Sequence, residues 1–221
     1  MKVYIVDVFA ERRYAGNQLA VVMDAAALTT ERMQEIAAEM NFSETTFVIE
    51  ANASRARVRI FTPAWELPFA GHPTVGTAWV LAGGGRPPVD GCSYILDLPV
   101  GPVAVSFNDG IGWMAPPEVS FTGVLPPEQA AALIGVAQSE LSPEFPIRLA
   151  EVGPRFVLIG LKSLTALKSA RLNQDLHADL VAKGVGVQCV FVFTQESYSD
   201  DADFAARMFF ESRGYREDPA T

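Results

Sequence analysis

A chain of 221 residues is long enough for one large domain or two small ones, and folding would bury about 70% of its unfolded surface. Its 17 Lys+Arg against 26 Asp+Glu, a net charge of −9 and a pI near 4.7, deny it the cationic surface that neutralises phosphates, so nucleic acid is not an expected partner. A composition 49% hydrophobic and 19% charged with two cysteines excludes general disorder and a disulfide scaffold, and apolar runs of about ten residues fall short of the ~20 that span a bilayer.

The start, Met1-Lys2-Val3-Tyr4, reads as strand rather than as a secretory leader. No membrane partner is expected, and the expected location is cytoplasmic. Lys2–Phe9 is apolar on nearly both faces and reads as a central strand. After the turn residues Ala15-Gly16-Asn17, Leu19–Met23 is a second strand. Thr30 reads as the cap of a helix over Glu31–Met40, with Met33, Ile36, Ala37 and Met40 on one face. Thr45–Glu50 and Arg55–Phe61 pair across residues 51–54; in the second, Arg57 and Arg59 alternate with Val58 and Ile60, leaving one wet face.

His72–Ala82 differs from its surroundings. Pro73 sits in a position read as the first of a helix, no residue that follows is charged, and Gly83-Gly84-Gly85 stops the run. A helix apolar on every side should be buried on every side. With strand-like runs before and after it, the simplest packing is a sheet curled around this one helix. Ser93–Leu98, Gly101–Phe107 and Ile111–Ala115 are further strands.

Pro116-Pro117 and Pro126-Pro127 bracket a connector, which places a first domain at 1–116 and a second at 117–221. In the second half, Pro127–Ile134 and Asn173–Lys183 read as helices. Ile147–Val152, Arg155–Gly160, Gln188–Thr194 and Asp203–Phe210 read as strands. There is a faint internal echo. Arg59-Ile60-Phe61 resembles Arg207-Met208-Phe209, and Glu66-Leu67-Pro68-Phe69-Ala70 resembles Glu217-Asp218-Pro219-Ala220-Thr221, with offsets that a three-residue loop difference would reconcile.

Pro68-Phe69-Ala70-Gly71-His72-Pro73 offers free amides and the positive end of a helix, a ready place for a carboxylate or phosphate. The plainer alternative is a tight turn into a core helix, with His72 bonded to some backbone carbonyl. Glu44, in Asn41-Phe42-Ser43-Glu44-Thr45-Thr46-Phe47, stands between a helix and an apolar strand. Desolvated by Phe42 and Phe47, it could serve as a general acid/base; equally, Ser43 or Glu44 could simply end the helix or pair with an arginine. Asp218, before Pro219, reads by itself as a turn residue. Cys92 and Cys189 read as buried inert thiols, and His177 as a surface helix residue. No Rossmann, Walker or metal-ligand spacing is present in the sequence.

Six blocks then carry a resemblance. They are Asp7-Val8-Phe9, Gly16 to Val22, Asn41 to Phe47, Arg59 to Pro63, Glu66 to Ala78, and Glu217-Asp218-Pro219-Ala220-Thr221. In this order they resemble the phenazine-biosynthesis-like (PhzF-like) isomerase family. The resemblance implies an α+β fold of two diaminopimelate-epimerase-like domains, each a curled sheet around a central helix. It implies a cofactor-independent isomerase without metal, in which Glu44 is the acid/base, and His72 and Asp218 are polar partners of the reacting substrate. Asn17, Gly71 and Thr221 are the implied substrate-binding residues, with the Gly71 and His72 amides cradling a carboxylate. The substrate class is a small cyclic or amino-acid-like carboxylate, and a homodimer is carried as an option. Epimerase relatives use a cysteine in each domain; here Ala70 and Thr221 stand near those places, so two-thiol chemistry is not expected. The family pattern continues past Asp-Pro-Ala-Thr into a second central helix, so the second domain is expected to lack that helix. The competing reading is a shortened, catalytically silent homologue that acts as a binding or scaffold protein.

Overall fold

The computed structural model describes residues 1–84, 86, 88–212 and 215–218. The chain divides into two units, Met1–Glu118 and Val119–Pro219.

In the first unit, β1 (Val3–Val8), β2 (Asn17–Val22), β3 (Glu44–Ala51), β4 (Arg55–Phe61), β6 (Ser93–Leu98), β7 (Gly101–Asn108) and β8 (Ile111–Met114) form one sheet in that order. The short β5 (Glu66–Leu67) pairs with β4 off the main path. The pairs β2/β3 and β4/β6 are parallel and the others antiparallel. Helix α1 (Thr30–Met40) covers one face, where Met33 and Ala37 meet Phe47 and Phe61, two rings packed edge to face. Helix α2 (Gly71–Gly83) lies on the other face. It touches β1, β2 and β3 as well as β6, β7 and β8, so the sheet curls around it, and no residue from Gly71 to Gly83 is exposed. An uncharged helix can exist only in such surroundings, because each of its faces would lose stability in water.

The second unit carries a sheet in the order β14 (Tyr215–Glu217), β13 (Ala205–Ser212), β12 (Cys189–Thr194), β11 (Arg155–Gly160), β10 (Arg148–Glu151) and β9 (Ser120–Gly123). Only β11 and β12 run parallel among these pairs. Helices α3 (Pro127–Leu133), α4 (Leu164–Ser169) and α5 (Gln174–Ala182) pack Leu133, Leu167 and Leu180 onto Val157, Ile159, Val190 and Val192. The opposite face of β12 presents Cys189, Phe191 and Phe193, each half-buried. The architecture is α+β, and none of its described helices is long and apolar enough to cross a membrane.

Several expectations are corrected. β1 is not central but ends the sheet, with Ile5 64% exposed; its inner face alone meets α2, so two-faced apolarity misled. The cap of α1 is Thr29, whose hydroxyl accepts from the Arg32 amide. Pro73 is the third residue of α2, still within the turn whose amides have no helical partner. The connector between the two proline pairs contains β9, and β5, α4 and β14 were not foreseen. His177 is buried rather than on the surface, its Nε2 donating to Val187 O at 2.8 Å. Cys92 and Cys189 are half-buried rather than buried.

Candidate active site

The site assembles where β2, β3 and α2 begin. Gly16 turns the chain into β2 with φ +81°, and a Cβ there would stand 2.2 Å from Val8 O, so only glycine fits. Parallel pairing of β2 with β3 sets Leu19 opposite Glu44, which brings the start of one strand beside the start of the other. Asn41, left-handed at φ 55°, ends α1 and releases the chain into β3. From the other side α2 approaches closely. At Gly76 a Cβ would lie 2.7 Å from both Leu19 Cδ2 and Val8 Cγ2, so the missing side chain lets the helix settle onto β1 and β2. One turn earlier, His72 is thereby carried against Asn17. Thr46 and Thr77 join hydroxyls at 2.8 Å and tie β3 to α2 further along.

The result is a buried polar chain. Ser43 Oγ lies 3.4 Å from Asn17 Oδ1, Asn17 Nδ2 3.2 Å from His72 Nδ1, and His72 Nε2 3.2 Å from Glu44 Oε2. All four residues are 9% exposed or less. Burial pushes the His72 pKa down to about 3, so its ring is neutral at neutral pH. The Glu44 side chain keeps 11% of its exposure although Oε2 itself is sealed, and the 3.2 Å approach of His72 Nε2 to Oε2 is not aligned as a hydrogen bond.

Beside this chain, Ala70 starts α2 in an extended conformation without a capping side chain. The Gly71 and His72 amides are in the first turn and have no helical acceptor. A side chain at Gly71 would meet only Met114 Cε, at 3.8 Å, so packing does not demand glycine there. The approach to α2 is itself braced. Arg59 grips Glu66 with Nε and Nη2 at 2.7 and 2.6 Å, and its Nη1 donates to Thr30 Oγ1 at 3.0 Å, fixing β5 just before the helix.

Of the residues singled out in the sequence, Glu44, His72, Asn17 and Gly71 are thus drawn together within the first unit. Asp218 belongs to the second unit, where it follows β14 and its amide donates to Met208 O at 2.9 Å. Thr221 lies outside the described residues. Sequence reasoning alone offers Ser43 only as a helix-ending residue. Its place directly before Glu44, on a strand start parallel to that of Asn17, was the available signal. Among the described residues no cluster of three or more His, Cys, Asp or Glu side chains is arranged to hold a metal ion.

Residues 6–221 match the model of the phenazine biosynthesis-like proteins, PhzC–PhzF. An uncharacterized isomerase of Mesorhizobium japonicum is 35% identical, over 97% of this chain and 74% of its own length. The trans-2,3-dihydro-3-hydroxyanthranilate isomerase of Pseudomonas aeruginosa is also 35% identical, over 98% of this chain and 74% of its own. Among solved structures, a PhzF-family phenazine biosynthesis protein of Bacillus anthracis superposes with a TM-score of 0.82 at 26% identity, covering 100% of this chain and 77% of that one. The chain therefore belongs to the phenazine biosynthesis-like family of isomerases.

Proposed function

We propose that the protein moves a proton from one carbon to another of a small cyclic or amino-acid-like carboxylate, with Glu44 as the single acid/base. The observation that carries this reading is the Glu44 carboxylate, almost wholly buried and 3.2 Å from His72 Nε2, beside the uncapped start of α2. In this reading the substrate carboxylate lies on the Gly71 and His72 amides, where the helix end favours negative charge. Asn17 borders the site. Glu44 takes a proton from a carbon next to an electron-withdrawing group and returns it elsewhere on the same molecule, so nothing is oxidised or lost. A proton shift of this kind asks for neither a metal nor an organic cofactor, and turnover is expected to survive EDTA. The 35% identity to an isomerase of trans-2,3-dihydro-3-hydroxyanthranilate supports a ring-bearing amino carboxylate as the first substrate to try. A cytoplasmic homodimer is part of the same reading, checked by light scattering.

The test is Glu44→Gln, which keeps size and loses the exchangeable proton. Turnover should fall roughly 10²-fold to 10⁴-fold, about 3–5 kcal/mol of transition-state stabilisation. Affinity measured by calorimetry should change little, because the amides hold the carboxylate. Unchanged turnover would remove Glu44 from the chemistry. Binding by the wild type with no turnover would favour the silent, binding-only homologue.

A further inference from the structure

Asn17 stands at the start of β2 and is 2% exposed. Ser43 Oγ donates to its Oδ1, and this orientation leaves Nδ2 as the group facing His72 Nδ1. An amide Nδ2 can only donate. The ring nitrogen it meets must therefore accept, and the one proton of the neutral imidazole belongs on Nε2, the atom 3.2 Å from Glu44 Oε2. A flipped amide would reverse this. Oδ1 would draw the proton to Nδ1, and a bare Nε2 would face a carboxylate oxygen, two acceptors in contact where water cannot reach.

From these contacts we infer that Asn17, held by Ser43, is a positioning residue for the proton transfer: it locks His72 as the Nε2–H tautomer. His72 Nε2–H then faces Glu44 Oε2 at 3.2 Å, close enough to donate although the two atoms are not yet aligned as a hydrogen bond. With the other tautomer, Nε2 would accept the proton of Glu44 and compete with the substrate carbon for it. The inference rests on Glu44 being the proton carrier. Neither Asn17 nor Ser43 is required to touch the substrate.

The experiment is nitrogen NMR of the full chain labelled with [¹⁵N]histidine. Only two histidines are present, His72 and His177, and the spectrum of His72→Gln assigns them. The wild type should show His72 protonated at Nε2 and bare at Nδ1. Asn17→Asp, which places an acceptor against Nδ1, should move a proton there. Asn17→Leu should mix the tautomers and lower kcat roughly 10-fold to 10²-fold with KM little changed; Ser43→Ala should act in the same direction but less. A wild-type spectrum with the proton on Nδ1 overturns the inference even if no Asn17 variant folds. So does an Asn17→Leu spectrum identical to the wild type. Turnover surviving in Glu44→Gln would overturn the reading underneath, and the tautomer spectrum, which needs no activity, tells the two failures apart.

Discussion

In the first unit β1 to β5 pair in turn antiparallel, parallel, antiparallel and antiparallel, and in the second β10 to β14 repeat that series. The brace repeats as well. Arg59 grips Glu66 and stacks over Phe61, while Arg207 grips Glu217 and stacks over Phe209. The second pair is ten residues apart instead of seven, which accounts for the unequal offsets of the sequence echo. A left-handed glycine precedes each second strand, Gly16 at φ 81° and Gly153 at φ 85°. Among the described residues the polar chain is not repeated. Leu19 faces Glu44 in one ladder and Phe156 faces Cys189 in the other, with Arg59 opposite Phe47 and Arg207 opposite Val192 fixing the equivalence. Counting back along β2 and β11, Pro154 stands where the first unit has Asn17. Residues that steer backbone recur in both halves; among the described residues the Asn17–His72–Glu44 set occurs in one. The shared plan requires the first kind in each copy, and no demand of folding requires the second.

Pairs of substitutions can break this comparison. The largest stability difference is expected at the glycines. Gly16→Ala combines left-handed strain with the clash at Val8 O and should lower stability by roughly 2–3 kcal/mol in urea unfolding. Gly153→Ala shares the left-handed strain at φ 85° and should cost about 1 kcal/mol or more. No loss at Gly153 would mean that the two turns are not the same device.

His72 gives the next effect. Its pKa is 6.5 when unfolded and about 3 in the fold, so between those values the unfolded chain binds the extra proton. Stability is therefore present above pH 6.5 and lost as pH falls toward 3. Between pH 7 and pH 5 the wild type should lose roughly 2 kcal/mol more than His72→Asn. Parallel pH curves for the two proteins would show that His72 is not held neutral by burial.

The braces should matter least. Arg59→Lys and Arg207→Lys each turn a two-pronged pair into a single contact and should cost roughly 0.5–1 kcal/mol. Arg207 should lie at the upper end, because its Nη1 also donates to the Leu167 and Ala170 carbonyls. Loss at one brace only would argue against a shared role.

How much of this was legible in the sequence follows from range. The buried α2 could be read because its lack of charge is a local property. Asn17, Glu44 and His72 could be nominated but not joined. Asn17 and His72 are 55 residues apart, and only the parallel register of β2 with β3 and the close seat of α2 at Gly76 bring them into contact. β5 and α4 are too short to show a period. His177 misled because Asp175 and Asp179 flank it, whereas Leu176 and Leu180 share its inward face. The echo at Arg59 and Arg207 was visible, but without strand pairing it could not be separated from chance.

The claim that the proton carrier belongs to one half can be tested at Glu44 and its counterpart together. Solvent deuterium incorporation into substrate would be followed for the wild type, Glu44→Gln and Cys189→Ser under one set of conditions. Cys189→Ser should incorporate deuterium at the wild-type rate, and Glu44→Gln should lose it by roughly 10²-fold or more. Incorporation that persists in Glu44→Gln, or that disappears in Cys189→Ser, would contradict the account.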